Sequence, residues 1–205
     1  FQGDPGPQGP TGPLGPQGPM GPAGPGGFSD ISYPDGFDSI TPITVENLGL
    51  TPYTVPSGKN LYITRICGTY TYTFYIDGVE LGWRGALDSL GQPYIAHAGQ
   101  TLTAITPNVN INGFLVDPTV TPITTNNLQA APYTVPSGKN LFITNFNTIA
   151  DGWSCSLYVD GIIIGACGGD GRYVPQDQPI VAGEGQIISS DRDTVAINGY
   201  LRDSS

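Results

Sequence analysis

Glycine occupies every third position from residue 3 to residue 27: Gly3, Gly6, Gly9, Gly12, Gly15, Gly18, Gly21, Gly24 and Gly27. Pro follows directly in seven of the eight full triplets, as Pro7, Pro10, Pro13, Pro16, Pro19, Pro22 and Pro25. Three polyproline-like strands can wind together only where the residue at the crowded axis carries no side chain. A disordered Pro/Gly linker has no reason to hold such a register. Residues 1–27 therefore predict a collagen triple-helix stalk, and with it a homotrimer whose trimerisation residues are these nine glycines. At ~3.1 Å per residue the stalk reaches roughly 80 Å.

The remaining chain reads all-β. Thr, Val, Ile and Tyr are plentiful, no amphipathic run of helical period and length occurs, and no apolar run is long enough for a membrane span. The formal charge is −10, and past the stalk 16 acids face 7 bases. That field repels a phosphate backbone, so no nucleic-acid partner is expected. There is no initiator Met before Phe1, and the chain is expected to be a fragment or processed product of a longer stalked protein.

The head is a tandem duplication. TPYTVPSGKNLYIT at 51–64 returns as APYTVPSGKNLFIT at 131–144. YIDGVELG at 75–82 returns as YVDGIIIG at 158–165, and INGFLVD at 111–117 as INGYLRD at 197–203. The offsets grow in steps of three, which places two short insertions in the second copy. Dense internal similarity means one fold built twice. The boundaries expected are an adaptor at 28–40, β module 1 at 41–117 and β module 2 at 118–205.

Each copy reads as about eight short strands, in the first near 43–45, 52–55, 60–66, 70–76, 79–84, 93–96, 101–106 and 110–116. Pro56-Ser57-Gly58 and Pro136-Ser137-Gly138 are turns. Asp77-Gly78 and Asp160-Gly161 are two-residue hairpin turns. Parity about Asp77-Gly78 then sets Ile76 against Val79, Phe74 against Leu81 and Tyr72 against Trp83, with all six, Trp83 included, in the core. In the second hairpin it sets Val159 against Ile162, Leu157 against Ile164 and Cys155 against Ala166, so a Cys155–Cys167 disulfide needs a bulge or another register. Cys67, with Asn147 at its place in the second copy, is expected as a buried free thiol. The fold expected is two tandem jelly-roll-like β-sandwich modules. The linker Asp117-Pro118-Thr119-Val120 is short, so the modules should pack together.

Catalytic chemistry finds little to use. Gly58-Lys59-Asn60 and its twin lack the upstream Gly and the Ser or Thr of a phosphate loop. His97 is the only imidazole, and its twin is Gly183, which suggests a turn with positive φ. No nucleophile motif surrounds it, and one His cannot furnish a cupin-type or ordinary zinc site. Carboxylates cluster at Asp170 and at Asp191-Arg192-Asp193; two acids spaced by one residue on a loop can ligate calcium through oxygen, but solvated loops on an acidic surface are the favoured reading. No metal, no cofactor and no enzymatic activity is expected. A depolymerase would need two carboxylates across a cleft, and Asp170 with Asp191 is the pair to test. For ligand binding the candidates are Trp153 and Tyr173, which fall in or near the two insertions, with Asp170, Asp191 and Asp193. Rings of this kind stack on sugars while acids hold the hydroxyls. The alternative is that either ring caps the core.

The glycine register of 3–27 followed by an all-β knob at 41–203 resembles the collagen-stalked trimeric spikes and tail-fibre tips of bacterial viruses. Complement-type heads and Bacillus exosporium filaments are built on similar lines. The resemblance implies a virion-surface, extracellular protein that attaches to a host-cell glycan or protein. It implies further partners in the virion base or fibre proteins upstream of the stalk. The alternative is a filament or capsid decoration whose head only trimerises the stalk.

Overall fold

The computed structural model describes residues 2–4, 6, 32–68, 72–84, 87–148, 155–167, 178–192 and 194–204, with the backbone alone at 82–84, 87–90 and 167. The stalk glycines Gly9 through Gly27 therefore lie outside the described residues.

The first repeat folds as β1 (Thr41–Val45), β2 (Tyr53–Thr54), β3 (Asn60–Cys67), β4 (Tyr72–Ile76), β5 (Val79–Arg84), β6 (Leu87–His97), β7 (Thr101–Ala104) and β8 (Asn110–Val116). The second folds as β9 (Thr121–Thr125), β10 (Tyr133–Thr134), β11 (Lys139–Thr148), β12 (Cys155–Val159), β13 (Ile162–Cys167), β14 (Ile180–Ala182), β15 (Ile187–Ser190) and β16 (Val195–Asp203). All eight strands expected per repeat are present. They form four antiparallel four-stranded sheets, ordered β1-β8-β3-β6 and β2-β7-β4-β5 in the first repeat. The second repeat gives β9-β16-β11-β14 and β10-β15-β12-β13, the same order strand for strand. The fold is all-β and compatible with a β-sandwich.

Each pair of sheets encloses its own core. Leu61, Ile63 and Ile66 from β3 meet Phe74, Ile76 and Leu102 in the first. Leu141, Ile143 and Phe146 from β11 meet Leu157, Val159 and Ile188 in the second. A third cluster joins the outer sheet faces of the two repeats: Tyr62, Ile95, Phe114, Val120 and Tyr200. The repeats therefore pack on one another, as the short linker requires.

The hairpin turns behave as their sequence demands. Asp77 and Gly78 sit at φ 50° and 75°, Asp160 and Gly161 at 51° and 79°. Their carboxylates do more than tolerate that conformation. Asp77 accepts the Thr101 N–H at 2.7 Å and the Gln100 side-chain amide at 3.1 Å. Asp160 accepts the Ile187 N–H at 2.9 Å and the Gln186 amide at 2.8 Å. Each tip is thus tied to the strand beside it.

The hairpin register departs from the parity reading. Ile76 faces Val79 as expected, but a bulge between Thr73 and Tyr75 sets Trp83 opposite Thr73 and Arg84 opposite Tyr72. The Trp83 side chain lies outside the described residues. The twin bulge sets Leu157 opposite Gly165 and Cys155 opposite Cys167, where parity gave Ile164 and Ala166. One extra residue on the returning strand shifts every later pair by one. This is the bulge a Cys155–Cys167 bond requires, and Cys155 is disulfide-bonded. Cys67 is free, and partly exposed rather than buried. The positive φ near His97 also lies elsewhere: Gly99 (86°) and its twin Gly185 (76°) make the turn, and neither His97 nor Gly183 does.

A second bulge in β3 and β11 explains the Ile-Asn-Gly block. A Cβ on Gly113 would stand 2.0 Å from the Tyr62 carbonyl oxygen, and one on Gly199 2.1 Å from that of Phe142. Only glycine admits so close a backbone approach.

Candidate functional site

Of the five expected ligand-binding residues, Trp153, Asp170, Tyr173 and Asp193 lie outside the described residues. The Asp170–Asp191 pairing lies outside them with Asp170. Asp191 is placed, in the turn between β15 and β16. Its carboxylate accepts the Ser156 N–H at 2.8 Å, and its own carbonyl accepts the Gln129 amide at 3.0 Å. The exposed side chain thus pins the start of β12. Among the described residues no group of three His, Cys, Asp or Glu side chains could hold a metal ion. His97 is exposed, with Nδ1 2.8 Å from the Ala98 carbonyl oxygen. No helix among the described residues is long and apolar enough to cross a membrane.

Two constructed sites emerge that sequence reasoning missed. The first lies in the adaptor, among residues 33–37. Asp35, in the adaptor, accepts hydrogen bonds from the Asn60 amide at 2.8 Å and the Tyr62 phenol at 2.8 Å. Its other oxygen accepts the Thr119 hydroxyl at 2.8 Å and the Val120 N–H at 3.0 Å, together with the Thr119 N–H. Asn60 completes the ring by donating to the Val120 carbonyl at 3.1 Å. One carboxylate therefore joins the adaptor, β3 and the linker between repeats. Tyr33 and Phe37 of the adaptor lie 5.8 and 5.7 Å from the Phe114 ring, and Tyr62 stacks on Phe114 at 5.3 Å and 9°. Burial pushes the Tyr62 phenol well above the usual tyrosine range, and the Asp35 charge adds to it. Burial raises the Tyr200 phenol as well. Both rings stay neutral, so Tyr62 remains a donor to Asp35. The sequence offered residues 28–40 only as an adaptor.

The second site is the seam between the repeats. β5 and β6 of the first repeat lie on β9, β11 and β16 of the second. Asn198 accepts the Ile95 N–H at 2.8 Å and donates to the Ile95 carbonyl at 2.8 Å. Asn145 donates to the Pro93 carbonyl at 2.9 Å, and Asn147 to that of Leu81 at 3.3 Å. These amides satisfy an otherwise unpaired strand edge from the face of the neighbouring sheet. At the far side of the second repeat the corresponding edge is apolar and open. Ile162, Ile163, Ile164 and Val181 are 69, 61, 37 and 55% exposed.

This arrangement ties the adaptor to the first repeat and the linker, and packs the two repeats together. No family model matches the chain, and no curated protein matches it. Among solved structures it is similar to a conserved protein of unknown function from Pseudomonas aeruginosa PAO1. That match has 10% identity and a TM-score of 0.28, and covers 81% of this chain and 82% of the other.

Proposed function

We propose that this protein is the stalked head of a trimeric spike or fibre on the surface of a bacterial virus, and that it attaches the particle to a host-cell glycan or protein. The observation that carries the reading is the unbroken glycine register of residues 3–27 leading into an adaptor that Asp35 fastens to β3 and to the linker between the repeats. A rod pulling on one loose loop would strain that loop. A rod fastened through Asp35 loads β3 and the linker between the repeats together. The finer fold reading, two tandem jelly rolls, is supported by the eight-strand order repeated in both halves. A threefold head shows three copies of any weak site, so avidity can replace tight binding.

The test is binding of the intact protein to glycan arrays and to bacterial cells. Binding that disappears in Trp153→Ala or Tyr173→Ala supports attachment through the insertion loops. Absence of any ligand on arrays and cells overturns the reading in favour of a head that only holds the stalk together. One observation favours that second reading: the Asp191 carboxylate is taken up by the Ser156 backbone.

A further inference from the structure

The duplication lets one half of the head be compared with the other, and burial differs in a consistent direction. Strand pairing matches Ile95 with Val181, because Ile95 stands opposite Tyr62 as Val181 stands opposite Phe142. Ile95 is fully buried, whereas Val181 is 55% exposed. Leu81 is 2% exposed, and its twin Ile164 is 37% exposed. The face that receives the edge shows the same asymmetry. Asn198 and Asn145 are buried in the second repeat, and their twins Asn112 and Arg65 are exposed in the first. The head therefore carries one used copy of an interface, and both halves of an unused copy at its two ends.

The unused halves keep the chemistry of the used one. Asn112 is held as Asn198 is: its amide donates to the Ile43 carbonyl and the Thr44 hydroxyl, where Asn198 donates to Ile123 and Thr124. The shared register makes the Val181 N–H and carbonyl point away from β11, as those of Ile95 point away from β3. Arg65 replaces Asn145 and is likewise a donor, suited to the Pro179 carbonyl as Asn145 is to that of Pro93. The adaptor covers the other end of this face, at Tyr62 and Phe114, and leaves Arg65 and Asn112 open. Three exposed isoleucines beside an edge strand that has no further strand partner among the described residues would otherwise be an aggregation hazard.

We infer that the β13–β14 edge docks on the β1-β8-β3 face of a second copy of this chain, with Asn112 gripping the Val181 backbone as Asn198 grips that of Ile95. The contact is head-to-tail, and such contacts close into rings or run on as filaments. The inference rests on the trimer reading for its closure: a three-stranded stalk stops the head-to-tail series at three chains. The six sandwiches then form one ring in which the seams within and between chains share one edge-on-face arrangement, those between chains carrying Arg65 in place of Asn145 and the adaptor at their rim.

The test is amide hydrogen exchange on the full chain, read together with its mass by light scattering. The expected result is a trimer in which the β14 amides are protected like those of residues 94–96. Asn112→Ala should lower protection at β14 roughly tenfold or more, as loss of a buried hydrogen bond implies, and leave residues 94–96 unchanged. Val181→Asp should lower it further, by placing a carboxylate in the apolar seam. A trimer with a freely exchanging β14 edge, or with protection indifferent to both substitutions, overturns the docking and leaves the stalked trimer standing. A single-chain mass overturns both.

Discussion

Asn198 holds the backbone of Ile95, 103 residues away in sequence, by two hydrogen bonds of 2.8 Å, one donated and one accepted. Both partners are buried, so water cannot replace either bond. Asn198→Ala would leave a buried N–H and a buried carbonyl unpaired, at about 1–3 kcal/mol each. The expected outcome is a loss of about 2–5 kcal/mol in urea unfolding. Asn112→Ala, at the exposed twin position, should cost the isolated chain less than about 1 kcal/mol.

The Asp35 carboxylate joins the adaptor, β3 and the linker. Asp35→Ala leaves the fully buried Tyr62 without its acceptor and frees the Val120 N–H. A loss of about 2–4 kcal/mol is expected, with faster proteolysis after the adaptor. The same substitution in a Tyr62→Phe background should cost less, because the orphaned phenol is gone. Equal costs in both backgrounds would show that the phenol bond carries none of the energy.

Cysteine chemistry gives a second check on the register. Cys155 is disulfide-bonded and Cys167 stands opposite it, while Cys67 is a free thiol. Peptide mapping without reductant should link the Cys155 and Cys167 peptides and leave Cys67 open to alkylation. Reduction should destabilise the second repeat by about 2–3 kcal/mol, the loop-closure value for so short a loop. A linked Cys67 peptide would refute the bulged register.

Acid should act through the hairpin tips. The Ile187 N–H and the Gln186 amide hold the Asp160 carboxyl below its usual range. The Ser137 hydroxyl and Gly138 N–H do the same for Glu184. Depressed folded-state values contribute stability that is present above the unfolded carboxylate range and lost as pH falls through the folded values. Below about pH 4 the wild type should therefore lose stability more steeply than Asp160→Asn. Carboxyl NMR titrations at ordinary Asp and Glu positions would contradict this.

The sequence revealed the strands and turns because their signals are local. Asp77-Gly78 and Asp160-Gly161 took the positive φ their composition requires. The hairpin bulges were harder to see, since Tyr72-Thr73-Phe74-Tyr75 offers a ring on either face and cannot report a one-residue slip. The available signal was the glycine inside each returning strand. A Cβ on Gly165 would come within 2.8 Å of the Phe146 ring. Asp35 was hidden for another reason: its partners lie 25 to 85 residues away, and one carboxylate in a turn carries no mark of them. The seam was encoded in the duplication, but burial was needed to tell which twin of each pair is used.

The most direct measurement is the mass of the intact chain in solution by light scattering, read with the circular dichroism of the stalk. The expected mass is three times the 21.5 kDa of one chain, with a polyproline-like signal that is lost cooperatively on heating. A mass of one chain, or a trimer without that transition, would contradict it.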